Sequence, residues 1–118
     1  MRQAFAHDAV LSMNKDADER APGAAVTVAL CGHWEHEPPC PLSPHYVHVE
    51  RVENDLRVRV VFAAAPEAEG EVRRRIERAL AGQWEFPDGF TARWRLLQSR
   101  PDDLSPEEVD RAQRLIQS

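Results

Sequence analysis

Lysine is all but missing from this chain of 118 residues: Lys15 stands alone among fifteen basic side chains, and the others are arginine. GC-rich coding produces that bias without a functional cause, so it carries no weight. Long apolar runs are missing as well. No stretch approaches the roughly 20 residues that a membrane-spanning helix needs, so no membrane span is expected. The N-terminal segment carries one arginine and meets Asp8 where a signal peptide needs its apolar core, so secretion is not expected and a cytoplasmic location is. Cysteine is scarce. Two residues make no disulfide framework, and under reducing conditions metal ligation outranks a Cys31–Cys40 disulfide. Fifteen basic against twenty acidic residues leave a net charge of −5, which favours solubility and speaks against non-specific nucleic-acid binding. Repeats and low-complexity tracts are absent.

What the chain does have is concentrated. Both cysteines and four of the five histidines fall within residues 31–48, as Cys31, His33, His36, Cys40, His45 and His48. Pro38, Pro39, Pro41 and Pro44 run through the same stretch. They forbid a helix interior or a central strand there and restrict the unfolded loop, which helps hold ligands in place. Thiolate and neutral imidazole are the ligands of a borderline-soft ion, zinc foremost. His33, Cys40 and His45 are the first choices, with His36 or Cys31 as the fourth. His48 reads instead as a strand residue two past Tyr46.

Around this loop the pattern is that of a single α+β domain over residues 1–118. Residues 1–12 fit a short strand or one helical turn, and the polar stretch 14–23 reads as a loop. In residues 24–31, Val26, Val28 and Leu30 alternate with Thr27, Ala29 and Cys31, which predicts a strand. Two further strands are expected at 46–52 and 56–62, joined around Glu53, Asn54 and Asp55. The second has Leu56, Val58, Val60 and Phe62 inward, with Arg57, Arg59 and Val61 outward. Pro66 followed by Glu67, Glu69 and Glu71 starts a helix over 67–81 with Val72, Ile76, Ala79 and Leu80 as its apolar stripe and Gly82 as its stop. A strand over 90–97 would turn Phe90, Ala92, Trp94 and Leu96 inward. Ser105, Pro106 and Glu108 form the capping signature of a last helix, docked by Val109, Ala112, Leu115 and Ile116. The sum is a two-layer α+β fold: a mainly antiparallel four-stranded sheet with two helices on one face, and the Cys/His/Pro-rich loop after the first strand. It is in part ferredoxin-like, with the first crossover helix replaced by that loop. Such an analogy carries no function.

The leading functional expectation is a small zinc-binding protein without catalysis of its own. Its ion pins the loop, and the surface at 34–38 (Trp34, Glu35, Glu37, Pro38) meets a protein partner. A zinc-dependent hydrolase or deaminase-like enzyme is the alternative, with Glu35 or Glu37 as general base. Its signatures are incomplete: His33-Trp-Glu-His36 is not His-Glu-x-x-His, and after Pro39-Cys40 the position a second cysteine would take is Ser43. A second alternative is an RNA- or DNA-binding module using an arginine-bearing sheet face of Arg57, Arg59, Arg93 and Arg95. It lacks the exposed aromatics such sheets use, since Thr91 and Val61 occupy that face.

Overall fold

The N-terminal residues form a long interior strand rather than a short or helical piece: β1 spans Gln3–Ser12. The computed structural model describes residues 2–14, 17–31, 44–81, 83–85, 89 and 91–117, apart from the side chains of Cys31 and Trp84. Along β1, Phe5, His7, Ala9 and Leu11 alternate with Ala4, Ala6, Asp8 and Val10, so the two sets face opposite sides of the sheet.

Helix α1, Arg20–Cys31, follows where a loop and then a strand were expected. Asp18 starts it, its carboxylate accepting the backbone N–H of Arg20 at 2.9 Å. Pro22 sits in the first turn, where its missing N–H costs no intrahelical bond. The alternation of Val26, Val28 and Leu30 concealed a second period. Pro22, Val26 and Leu30 lie four residues apart, as do Ala21 and Ala25, and all five are buried. A helix of modest propensity, containing Gly23 and two valines, is stabilised here by burial of that face.

β2 (His45–Val52) and β3 (Asp55–Ala64) form a hairpin closed by the pair Val52–Asp55. Glu53 takes φ 56° in the connection. A 3₁₀ turn, Pro66–Ala68, leads into α2, Glu69–Leu80. The expected strand 90–97 is divided at Trp94. β4 (Gln83–Glu85) pairs with β5 (Thr91–Arg93) as a separate small hairpin, and β6 (Arg95–Asp102) joins the main sheet. Trp94 itself turns into the core, its indole N–H donating to the Leu80 carbonyl at 2.8 Å. After a 3₁₀ turn at Pro106–Glu108 the chain continues as α3, Val109–Ile116.

The result is a mixed α+β fold with a four-stranded sheet in the order β2-β3-β1-β6, antiparallel at every junction. It follows that β1 and β2 run parallel with β3 between them, and β3 and β6 run parallel with β1 between them. One face packs on α1 and α2. Leu11, Leu56, Val60 and Phe62 from the strands meet Val26, Leu30, Ile76 and Leu80, all fully buried. Each such side chain contributes about 1.5–3 kcal/mol.

Two expectations about the layers need correction. Among the described residues there are three α-helices rather than two, and they do not share one face. α3 lies on the opposite side, where Ala112, with Leu104 and Leu115, covers Ala6, Val61 and Tyr46. Val61, expected in solvent, is fully buried for that reason. The first crossover is not a loop standing in for a helix, either. It contains α1, and residues 32–43 come after that helix.

Candidate functional site

Of the expected zinc ligands, His33, His36 and Cys40 lie outside the described residues, as do Trp34, Glu35, Glu37 and Pro38. Cys31 is the last residue of α1 and His45 the first of β2. The strand expected over residues 24–31 therefore gives no support to Cys31 as a ligand, since residue 31 ends a helix. A different relation takes its place. The His45 ring reaches α1, its Nε2 lying 3.1 Å from Thr27 Oγ1. Position 31 follows Thr27 by four residues, one turn along the same helix face. Were the ring to donate from Nε2 to Thr27, its lone pair would be on Nδ1. His48, three residues on, is on the other face of β2 and exposed. It cannot share an ion with His45. Among the described residues no three His, Cys, Asp or Glu side chains gather as a metal site.

A buried polar cluster that the sequence did not announce lies under the sheet. His7 is 1% exposed. Its Nδ1 is 3.1 Å from Arg73 Nη1 and its Nε2 is 2.7 Å from Ser99 Oγ. Arg73 also donates to the Ala6 carbonyl and to Glu69, each at 2.7 Å, and lies over the Phe5 and Phe62 rings. Burial, and then the Arg73 charge, pulls His7 down to about 4. A guanidinium only donates, so Nδ1 accepts and the ring proton is on Nε2, donated to Ser99. The Ser–His contact thus has the wrong tautomer for a nucleophile and its base, and its role is to satisfy buried polar atoms. Arg73 is thus turned away from the wet side of α2. Arg74 and Arg75 do stay there, paired with Glu71.

The outer face of the sheet is partly polar. Two cross-strand rows, His48–Arg59–Asp8–Arg100 and Glu50–Arg57–Val10–Gln98, follow from the register. They line a groove of about 350 Å³ beside α3. Arg59 closes one end. It donates to Asp8 at 2.7 Å, Asp102 at 2.8 Å, Glu108 at 2.7 Å and the Asp103 carbonyl at 2.7 Å. The guanidinium holds Asp102 and Glu108 down at about 2. Burial, then a hydrogen bond shared with Asp102, raises Asp8 above the usual carboxylate range. The four-arginine nucleic-acid face does not assemble, because Arg93 belongs to the β4–β5 hairpin and the Arg59 charge is consumed by three carboxylates. No helix among the described residues is long and apolar enough to cross a membrane.

The chain matches no known protein family, no curated protein and no solved structure. The functional reading rests on its own residues.

Proposed function

We propose that this chain is a small zinc-binding protein whose ion ties residues 32–43 to the corner where α1 ends and β2 begins. The observation that supports this most is the 3.1 Å contact between His45 and Thr27. It fixes one candidate ligand on the rigid body, one helical turn from the position of a second, Cys31. His45 would bind through Nδ1, with the Thr27 hydroxyl orienting the ring as the outer partners of metal-bound histidines do. His33, His36 and Cys40 supply the remaining donors, and Cys31 competes with His36 for the fourth place of a closed tetrahedral site. In this reading the zinc is structural and the 34–38 surface is held out for a protein partner in the cytoplasm.

The fold belongs to the same proposal. The order β1-α1-β2-β3-α2-β6, with each parallel pair split by a strand of the other unit, reads as ferredoxin-like with the β4–β5 hairpin and α3 added.

Cobalt substitution tests the ligand set. Co²⁺ added to metal-free protein is expected to give the intense visible bands of a tetrahedral site together with a thiolate charge-transfer band. Cys40→Ser should abolish the thiolate band or sharply reduce it, and His45→Ala should weaken binding. Octahedral spectra without thiolate character, the same in both variants, would refute the assignment.

A further inference from the structure

We propose that the groove on the outer face of the sheet binds a small oxyanion, a phosphate monoester or a carboxylate, held between Arg57 and Arg100. Both side chains line the groove. Among the described residues neither is ion-paired, and of the two carboxylates that line the groove with them Asp8 is committed elsewhere, to Arg59. Asp8 stands directly opposite Arg100 in the register, yet its carboxylate is engaged by Arg59. Glu50 stands opposite Arg57, and no ion pair among the described residues joins the two. Two guanidinium groups are thus left as donors on one concave surface.

Their spacing suits one ligand. Arg57 on β3 and Arg100 on β6 are separated by β1, about 10 Å across the sheet, and by one row, about 7 Å along it. Val10 and Asp8 lie between them on the floor, and the Asp8 carboxylate is taken up by Arg59. Two flexible arginines inclined towards that point can grip one oxyanion, and the planar guanidinium matches carboxylate and phosphate oxygens two at a time. Gln98 and His48 flank them with further hydrogen-bonding groups. A groove of about 350 Å³ is at the small end of metabolite sites.

The same electrostatics select against a long polyanion. The Arg59 cluster at the α3 end carries three carboxylates against one guanidinium. A nucleic-acid strand lying along the face would have to cross it, while a compact anion between Arg57 and Arg100 does not. The groove is on the side of the sheet away from His45, so this proposal and the zinc reading stand or fall separately.

Titration of the protein with inorganic phosphate, and separately with succinate, followed by ¹H–¹⁵N NMR at low ionic strength, tests it. Saturable one-to-one shifts are expected around residues 8–10, 57–59 and 98–100. Affinity should fall about tenfold or more in Arg57→Gln and in Arg100→Gln. Both side chains are exposed, so melting temperatures should hold, and Arg78→Gln on the helix side should bind as the parent does. Tighter binding of phosphate would assign a phosphorylated ligand, and tighter binding of succinate a carboxylate. Shifts that do not saturate, that centre elsewhere, or that are equal in all variants would overturn the proposal.

Discussion

Buried and neutral, His7 makes the folded state sensitive to mild acid. Its ordinary value of 6.5 in the unfolded chain falls to about 4 in the fold, so the unfolded state takes up the proton first. Stability is therefore complete above pH 6.5 and is lost as pH falls towards 4. The melting temperature should drop over that interval in the parent and drop less in His7→Gln, which calorimetry at stepped pH would show. Nothing in the local sequence revealed this group, because its partners Ser99 and Arg73 are 92 and 66 residues away. A second residue-scale prediction concerns Glu53, whose φ of 56° is left-handed backbone. Glu53→Gly should stabilise by about 1 kcal/mol, read as a higher denaturant midpoint at unchanged slope. Thr27 gives a third. If its hydroxyl orients a metal-binding His45, Thr27→Val should weaken zinc binding by about 10–100-fold in a competition titration, with the fold intact by circular dichroism.

Among the elements, those whose signals are local were legible. The β3 alternation and the Ser105–Glu108 cap before α3 appear where the residues place them, and Pro66 opens the 3₁₀ turn that leads into α2. α1 was misread because Val26, Val28 and Leu30 satisfy a period of two, while the helical set from Ala21 to Leu30 shows only against the packing partners Ile76 and Leu80. Leu30→Ala should accordingly cost about 2–5 kcal/mol in chemical denaturation, as a helix residue in the main core. The side of the sheet taken by α3 was equally hidden, since it depends on a long-range ion cluster. Glu108 accepts the Ser105 N–H at 2.9 Å and the Arg59 guanidinium at 2.7 Å, so one carboxylate both caps the helix and anchors it. Its value near 2 lies below the ordinary 4.5. That contribution is present above pH 4.5 and is lost as pH falls through about 2; the raised Asp8 works in the opposite sense. Arg59→Met should release α3, and amide hydrogen exchange of residues 109–116 should speed up well before exchange in β1 and β3.

For the whole molecule, the sheet separates two chemistries. The helix side carries the core, the His7 cluster and the corner where His45 meets α1, and the outer side carries α3 and the arginine groove. The sequence made the composition of the corner plain, as a crowd of Cys, His and Pro, but not its support. That the crowd follows a helix, and that Thr27 holds His45, depends on how α1 packs against β2. The arginine face was read from strand alternation alone and was half wrong, since a tryptophan that turns inward at position 94 moved Arg93 into another sheet. The most direct test of the central claim is the metal content of protein purified without a histidine tag, with zinc returned after chelation while the melting temperature is followed. One zinc per chain, whose removal lowers the melting temperature by several degrees and whose return restores it, is the expected result. No bound metal and no response to added zinc would contradict the account.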